Sequence, residues 1–362
     1  MNTSASLLHL CSRSEWRAAL ATRMVAPPSL SEVGFVHLST AEQVALPATR
    51  LFRDRHDLVL LVVDRSRLDA EGIEVRWEPG VPGDPATMRF PHAYGAVPTS
   101  AVVAVQAYRP RPDGGFDPPP TPPVRADHAR RLATFAESLP RRLATTQVPV
   151  SGGVALVQSD LPWSRALNQL LLDAPVSADE VIAAADRALG GAGRPFRRVT
   201  LRGPAPNPVA DELERHGWWI RREAAWGRVL GAAPAGDCAE PARLADVRPF
   251  WAKAWGNDLI PDRFPLDDTV VDVRYLVVRD ERGSVVAAAV LEIDGATAVL
   301  DAVASERGEH AEALLAEAAA VAERAGCDLL GLDAVAADWP RQDYPRHGFT
   351  PMTEAWTAGR GE

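Results

Sequence analysis

The chain has 362 residues, of which 46% are hydrophobic and 24% are charged, and its formal net charge is −9. This length exceeds what one hydrophobic core usually supports, so we expect a globular protein of two or three domains. The acidic balance and the lack of a basic stripe argue against nucleic acid as the principal ligand.

Cysteines and apolar runs exclude further classes of protein. Cys11, Cys238 and Cys327 are far apart and lack the spacing of metal ligands. We therefore expect neither a metal site nor a disulfide framework. The sequence shows no signal peptide and no apolar run long enough to cross a bilayer, which predicts a cytoplasmic protein without a membrane partner.

Residues 6–108 contain two sequence blocks, Gly34–Thr40 (GFVHLST) and Phe90–Gly95 (FPHAYG). Between them, Ala41–Phe52 predicts a helix and Leu58–Val63 predicts a buried strand. Histidines, hydroxyls and a glutamate suit a ribose, an amide and an oxocarbenium-like centre. The alternative is that the histidines are structural and fix a small sheet. The candidate pocket residues are His9, His37, Ser39, Glu78, His92 and Tyr94.

These two blocks resemble the GFIHLS and FPHxYG blocks of a bacterial family, the domain of unknown function nine hundred fifty-two. That family is grouped with the ADP-ribosyltransferase fold, which binds NAD between two short sheets. The resemblance therefore implies a small ADP-ribosyltransferase-like domain with NAD as its cofactor. It gives His9 the role of the first-strand histidine and places Ser39 and Thr40 before the second helix. Glu78 is the candidate acidic residue.

A proline-rich stretch, Arg109–Val124, follows this segment. Prolines make few regular backbone hydrogen bonds, and such a stretch is typical of a semi-rigid extended spacer. A softer boundary lies in the alanine-, glycine- and proline-rich residues Gly231–Glu240. The predicted divisions are residues 1–109, a linker at 110–124, and two further domains at 125–236 and 237–362.

The second segment predicts a helix, a strand and a second helix. The first helix, Ala178–Leu189, ends at glycine and leads to the strand Val199–Leu201. The second helix, Val209–Glu214, runs into Arg215–Trp218 (RHGW). We match the region Ser159–Trp163 to the cofactor turn of the third segment, and because it holds no glycine we expect the second segment to be degenerate.

The third segment repeats this order and ends at Arg346–Phe349 (RHGF), which predicts a duplicated α/β unit. Its central helix has apolar residues at helical spacing, and the free N–H groups at its start suit an anion. The predicted elements are a hairpin of Arg274–Val278 and Val285–Ile293, the strand Val299–Val303, the helix Glu309–Ala325 and the strand Leu329–Leu332.

Residues 125–362 resemble a tandem protein of the GNAT superfamily, the general-control-type N-acetyltransferases. The resemblance implies an α/β (α+β) chain with two mixed-sheet GNAT-like domains and acetyl-CoA as the cofactor. The pantetheine arm would lie beside the central strand, and the amides of the following turn would hold the pyrophosphate. Tyr344, in Tyr-x-x-x-Gly-Phe, is the implied proton donor to the leaving thiolate. The implied cofactor-binding residues are Val303, Arg307, Gly308, Glu309, His310 and Ala311.

Acyl transfer to an amine also needs a base. Glu292 and Asp301 lie on predicted strands beside the cleft, and each is a candidate acceptor of the amine proton. The alternative is that they are ordinary outward-facing carboxylates. The predicted acceptor is an amine of an unknown small molecule or protein.

The turn departs from the family pattern Gln/Arg-x-x-Gly-x-Gly/Ala. One alignment places Glu306, Glu309 and Ala311 at those positions, and a shift by one recovers Arg307 but puts His310 where glycine belongs. Carboxylates there would repel phosphates unless they turn to solvent. Three functions therefore stay open: a GNAT-type acyltransferase, an NAD-handling N-terminal domain with the tandem as scaffold, and a non-catalytic binding protein.

Overall fold

A computed structural model describes residues 6–80, 85, 87–202, 207–231, 240–257, 259–335 and 344–361. Cys238 and most of the predicted boundary at Gly231–Glu240 lie outside these residues. The predicted domain boundaries therefore stay predictions.

The N-terminal part contains three small antiparallel sheets, ordered β1-β4-β8, β3-β6-β5 and β2-β7. The predicted helix Ala41–Phe52 begins only at Ala45, because Pro47 lacks an N–H donor and fits only the first turn of a helix. The elements are β1 Ser6–Ser12, α1 Arg13–Thr22, β2 Met24–Val25, α2 Pro28–Glu32, β3 Val36–His37, α3 Ala45–Leu51, β4 Leu58–Asp64, α4 Arg65–Ala70, β5 Glu74–Pro79, β6 Arg89–Tyr94, β7 Val97–Pro98, a 3-10 turn Thr99–Ala101 and β8 Val102–Tyr108.

One core joins the sheets of the N-terminal part. Val36 and Ala93 of the β3-β6-β5 sheet pack with Leu61 and Val63 of β4 and with Trp16 of α1. Side chains alternate between the two faces of a strand, so the opposite face of the β3-β6-β5 sheet carries the polar residues of that segment. Four of the predicted N-terminal pocket residues, His37, Glu78, His92 and Tyr94, meet on this face.

The second segment begins with a long amphipathic helix and ends with a long strand. The predicted helix Ala178–Leu189 is present as an α-helix that continues into a π-helical turn, and the predicted strand and second helix are also present. The elements are α5 His128–Leu143, β9 Thr146–Val150, β10 Gly153–Val157, β11 Gln169–Leu172, α6 Ala178–Ala185, the π-helix Asp186–Gly190, β12 Arg197–Arg202, α7 Pro208–Arg215 and β13 Trp219–Val229.

The third segment confirms the predicted hairpin, central strand, long helix and following strand. Its elements are β14 Glu240–Ala242, α8 Leu244–Trp255, a 3-10 turn Ile260–Arg263, α9 Phe264–Asp267, β15 Asp272–Arg279, β16 Val285–Asp294, β17 Thr297–Ser305, α10 Gly308–Arg324, β18 Leu329–Val335, a 3-10 turn Tyr344–His347 and β19 Thr350–Arg360.

Both segments share one sheet of eleven strands, ordered β14-β15-β16-β17-β18-β13-β19-β12-β11-β10-β9. The last strand of each segment is exchanged: β13 pairs with β18 of the third segment, and β19 pairs with β12 of the second. The helices α6, α7 and α10 cover one face of this sheet, while α5 and α8 cover the other. The exchange ties the two repeats together through backbone hydrogen bonds.

The corresponding turns show that one sequence match is wrong. The strand before α6 is β11, so residues 173–177 are the equivalent of the turn between β17 and α10. Ser159–Trp163 instead lies between β10 and β11. The sequence match failed because β11 is only 4 residues long and gives a weak strand pattern.

Residues of the proline-rich stretch pack against the N-terminal part. They do not act as a spacer that separates this part from the rest of the chain. Phe116 is buried beside Tyr108, whose hydroxyl donates to the carbonyl of Asp117 at 2.6 Å. The N-terminal part also docks on the third segment, where the Ala296 N–H donates to the Val102 carbonyl at 2.7 Å. The chain is therefore one packed body across the proline-rich stretch.

Gly295, in the turn between β16 and β17, sits at this contact. We expect Gly295→Ala to lower the free energy of unfolding by about 2–4 kcal/mol, because φ is +74° and a Cβ would lie 2.4 Å from the Val102 carbonyl oxygen. Urea denaturation would measure the loss. Gly283→Ala is the matched control, since φ is +79° but no atom lies within 4 Å of a Cβ there. Equal losses in the two variants would contradict the close approach.

Candidate active site

A cavity of about 680 Å³ lies between α5 and the middle of the large sheet. Its apolar wall is formed by α5, including Leu132, Phe135 and Leu139. The strands β11, β12, β13, β17, β18 and β19 form its floor. Charged side chains enter it from β12, β16, β17 and the segment before β15, so the cavity is apolar along one side and charged on the other.

Arg263 organises one end of this cavity. Its Nε donates to Asp267 at 2.7 Å, and its Nη2 donates to Asp301 at 2.5 Å and to Glu292 at 3.3 Å. The Glu292 side chain is 2% exposed and that of Asp267 is fully buried, while Asp301 is 41% exposed. The structure thus brings the two predicted bases, Glu292 and Asp301, together on one guanidinium, with three carboxyl groups around a single positive charge.

This crowding separates the protonation states of the carboxyl groups. Burial, and then the charge of Asp267, raise the pKa of Glu292 well above its usual value. Burial opposes ionisation of Asp301 as well, but the charge and hydrogen bond of Arg263 together hold its pKa below the usual value. Burial also raises the pKa of Asp267, to which Glu292 is hydrogen-bonded. The pKa values of the predicted pair are thus shifted in opposite directions, and Asp301 is the member that ionises more readily.

The raised pKa of Glu292 predicts the direction in which stability changes with pH. The folded state binds a proton that the unfolded chain releases near 4.5, so ionisation of Glu292 lowers stability as pH rises above that value, by up to about 1.4 kcal/mol per pH unit. We expect Glu292→Gln to lose less stability than wild type as pH rises above 4.5, because glutamine keeps both hydrogen bonds without the charge. Urea denaturation across pH would measure this.

Asp301→Asn is the control, because the contribution of Asp301 to stability changes with pH in the opposite direction. Its folded pKa lies below the usual value of 3.8, so its contribution to stability is present above that pH and is lost in acid. The asparagine variant should differ from wild type most at neutral pH and least in acid. A Glu292→Gln curve that parallels wild type at every pH would show that Glu292 is ionised in the folded protein.

Beyond the acidic group, β17 and β18 separate. Their parallel pairing runs from Thr297 with Leu329 to Leu300 with Leu332 and then ends. At this point the register of β17 with β16 shifts, and Ala302 adopts a φ of +51°. Over residues 301–305, about 13 Å, the edge of β17 that faces β18 has no strand partner among the described residues. This split begins at Asp301, which lines the cavity, and leads along β17 to the turn that precedes α10.

The turn before α10 presents backbone amides without a side-chain cap. The helix begins at Gly308, and the N-cap Arg307 makes no capping hydrogen bond. The carboxylates of Glu306 and Glu309 are 46% and 68% exposed, and they pair with Lys253 and Arg307 at 3.2 and 3.5 Å. Both negative charges therefore point to solvent with cationic partners. No atom lies within 4 Å of the position of a Cβ on Gly308.

The equivalent helix of the second segment is different. Ser177 and Glu180 form a capping box at the start of α6, in which the Glu180 carboxylate accepts from the Ser177 N–H at 2.9 Å. The amides at this end are thus occupied by the chain's own side chains. Of the two repeated segments, it is the third segment whose helix N-terminus is suited to an external anion.

Tyr344 lies on the opposite face of the sheet from the acidic group. It is 5% exposed and packs with Trp226 at a ring-centroid distance of 5.2 Å, in the core shared with Leu314 and Leu315 of α10. It does not line the cavity with Glu292 and Asp301. The implied role of Tyr344 as proton donor remains a prediction.

Four of the seven predicted N-terminal pocket residues meet on the outer face of the β3-β6-β5 sheet. Glu78 accepts from the Tyr94 hydroxyl and pairs with His92 Nδ1, each at 2.9 Å. His37 lies opposite His92 in the register, with ring centroids 5.2 Å apart. Phe35 stacks on His92 at 4.0 Å. Four of the predicted residues are therefore in one group.

The other three predicted N-terminal residues lie deeper. His9 is 6% exposed and its Nδ1 contacts the His37 carbonyl at 2.9 Å, while burial lowers the pKa of His9. Ser39 and Thr40 are buried, and Ser39 forms a bridge with Leu8 of β1. These residues support the sheet and lie beneath its outer face.

Sequence reasoning missed several residues of both groups. Arg263 and Asp267 were not identified, although their spacing of four residues in a helical segment is a usable signal. Phe35 and Arg76 were also missed as site residues. The Arg76 guanidinium lies 4.3 Å from the centre of the Tyr94 ring. Alternation along β5 places Arg76 on the same face as Glu78, and this signal was available in the sequence.

Two observations on the described residues concern metal ions and membranes. These residues contain no group of three or more histidine, cysteine, aspartate or glutamate side chains that could hold a metal ion. They also contain no helix that is long and apolar enough to span a bilayer.

A family model described as "Protein of unknown function (DUF952)" matches residues 10–105. Protein CC0527 from Caulobacter crescentus is 32% identical over 31% of this chain and 93% of its own, with a TM-score of 0.27. No curated protein matches the sequence. The ADP-ribosyltransferase grouping implied by the sequence blocks stays a prediction.

Other solved structures match larger shares of the chain. A conserved protein of unknown function from Staphylococcus epidermidis is 11% identical, with a TM-score of 0.50, over 60% of this chain and 94% of its own. A GCN5-related N-acetyltransferase from Kribbella flavida is 21% identical, with a TM-score of 0.44, over 64% of this chain and 95% of its own. The chain therefore carries a DUF952 segment at residues 10–105, and its structural neighbours over much of its length include GNAT acetyltransferases.

Proposed function

We propose that the protein is an N-acyltransferase that moves an acetyl group from acetyl-CoA to an amine of a small molecule or protein. The observation that carries this proposal is the split between β17 and β18. The split begins at Asp301, an ionised carboxylate that lines the cavity, and leads along β17 to an uncapped helix N-terminus that suits a pyrophosphate.

The reaction needs few groups from the protein. The amine nitrogen forms a C–N bond with the acyl carbon, the C–S bond breaks, and the amine proton leaves. Asp301 accepts that proton directly or through water, because it is ionised and lines the cavity next to the split. The amides of Gly308, Glu309 and His310 would hold the pyrophosphate, and Val303, on the edge of β17 that faces β18, would lie beside the pantetheine arm. Acetyl-CoA would supply the thioester, and its sulfur would leave as a thiolate that takes a proton from water, because Tyr344 lies on the opposite face of the sheet.

Gly308→Asp tests the cofactor site without threatening the fold. An acidic residue in the first turn stabilises a helix, and the position has open space, so we expect an unchanged or higher melting temperature. The new carboxylate would face the pyrophosphate, and we expect CoA affinity to fall at least about tenfold. Isothermal titration with CoA and acetyl-CoA would measure this.

Gly231→Asp is the matched control. It adds the same charge at an exposed site with open space, beyond the end of β13 that pairs with the start of β18. CoA affinity should be unchanged in this variant. If wild type fails to bind CoA, or if both variants bind like wild type, the proposed cofactor site is wrong.

A second candidate function is nucleotide handling, with NAD as the ligand, at the outer face of the β3-β6-β5 sheet. The hydrogen-bonded group of Glu78, His92 and Tyr94, with Phe35 stacked on His92, favours it. Thermal shifts with NAD and ADP-ribose test this function. A shift that is lost in Glu78→Gln supports it, and no shift by either compound at millimolar concentration rejects it.

A further inference from the structure

The cavity contains one cation whose charge is poorly neutralised. Three arginines line it: Arg198, Arg202 and Arg263. Arg263 contacts three carboxyl groups, and the Arg202 Nε lies 2.6 Å from Glu137. Arg198 has its ion pair with Glu223 at 4.0 Å, the outer limit for such a contact.

Other contacts also show that the Arg198 guanidinium has few hydrogen-bond and charge partners. Its Nε is buried and has no hydrogen-bond partner among the described residues. The other carboxylate oxygen of Glu223 accepts from the Thr357 hydroxyl at 2.8 Å, so Glu223 is divided between two donors. Burial lowers the pKa of Arg198, and the nearby guanidinium of Arg263 is among the charges that add to this. A partly buried guanidinium whose buried Nε–H has no acceptor among the described residues favours an anionic ligand group.

The acidic end of the cavity, in contrast, has an excess of negative charge. Asp267 is fully buried, and its Oδ1 accepts from no donor of the described residues unless the Glu292 carboxyl is protonated. Asp267 and Asp301 share a single guanidinium, that of Arg263. This end therefore carries net negative charge and favours an ammonium group.

An apolar surface lies beside these two charged positions. Leu132, Phe135 and Leu139 of α5 line the cavity between β17 and β12. A volume of about 680 Å³ is within the usual range for small-molecule sites. The chain thus offers an anion site, an apolar wall and an ammonium site in one cavity.

We propose that the acyl acceptor is an aminocarboxylate, a small molecule with an amine at one end, an apolar chain and a carboxylate at the other. This inference rests on the proposed acyltransferase function and names its substrate class. The carboxylate binds Arg198, the chain lies along α5, and the amine lies at Asp301 and Asp267, on the cavity side of the split.

The test is titration calorimetry with matched probes in the absence of any cofactor. The probes are linear ω-aminocarboxylates from 4-aminobutanoate to 8-aminooctanoate, with the alkylamine and the alkanoate of the same chain length. We expect the best aminocarboxylate to bind at least about tenfold more tightly than its amine and its acid. Arg198→Gln should abolish this preference and leave the affinity for the amine unchanged. Arg198→Lys should keep part of the preference.

Arg202→Gln is the matched control, because the charge of Arg202 is already balanced by Glu137 on α5. It should keep the preference for the aminocarboxylate, and circular dichroism confirms that each variant is folded. Equal affinity for aminocarboxylate and amine in wild type, or a preference that survives Arg198→Gln, would overturn the inference. So would a complete absence of binding by all probes.

The two proposals fail separately. If acetyl-CoA binds and is lost in Gly308→Asp, but the probes show no carboxylate preference, the acyltransferase function stands and the substrate class is wrong. If the aminocarboxylate binds through Arg198 but acetyl-CoA does not bind, the cavity binds the proposed class and the acyltransferase function is wrong.

Discussion

Arg263→Met is expected to lower the free energy of unfolding by about 3–5 kcal/mol. The side chain of Arg263 is 19% exposed and neutralises Asp267, Glu292 and Asp301 at 2.7, 3.3 and 2.5 Å. Methionine has a similar volume but leaves these carboxyl groups without a counter-charge. Urea denaturation at neutral pH would measure the loss, and part of the stability should return in acid as the carboxylates take up protons.

Arg222→Gln is the control for this variant. Arg222 also contacts a carboxylate, Glu354, at 2.5 Å, but the two side chains are 43% and 39% exposed. Exposed ion pairs contribute only about 0–1 kcal/mol, so the control should lose little. A loss in Arg263→Met no larger than in the control would mean that the acidic group is not organised by Arg263.

The second large effect concerns the contact between the N-terminal part and the sheet. Arg131 of α5 is fully buried, and it donates to the carbonyls of Val103 and Ala296 at 3.1 and 2.9 Å and to Asp328 at 2.6 Å. We expect Arg131→Met to cost about 3–5 kcal/mol, because three acceptors lose a charged donor in a buried site. Urea denaturation followed by tryptophan fluorescence would measure it.

Arg23→Gln is the comparison at the same contact. Arg23 joins the N-terminal part to α10 through the Arg324 carbonyl at 2.9 Å, but this hydrogen bond is exposed. Its loss should cost less than about 1 kcal/mol. If Arg131→Met unfolded in two separate transitions while wild type unfolds in one, the buried arginine would be what makes the two parts a single cooperative unit. Two transitions in wild type would contradict the description of one packed body.

Local patterns predicted much of the third segment. The apolar stripe of α10 and the turn at residues 280–283 depend on neighbours in sequence, so the helix and the β15–β16 hairpin were expected within a few residues. The shared RHG motif before β13 and β19 also pointed to the repeat. These features require only short-range information.

Long-range pairing could not be predicted in the same way. The possible partner strands of β13 and β19 have similar sequence patterns in the two repeats. The sequence of either strand therefore does not identify the repeat with which it pairs. Likewise, Glu292 and Asp301 were candidates, but the state of each depends on Arg263, which lies 29 residues before Glu292 in the chain. The two glutamates of the turn were expected to repel phosphates unless they turn to solvent, and the structure turns both carboxylates to solvent.

A crystal structure of the protein with CoA would show whether the cofactor binds at the start of α10. We expect the pyrophosphate on the amides of Gly308, Glu309 and His310 and the pantetheine arm between β17 and β18, with its sulfur directed to the cavity beside Asp301. CoA bound elsewhere on the protein, or a split that stays closed to CoA at saturating concentration, would contradict it.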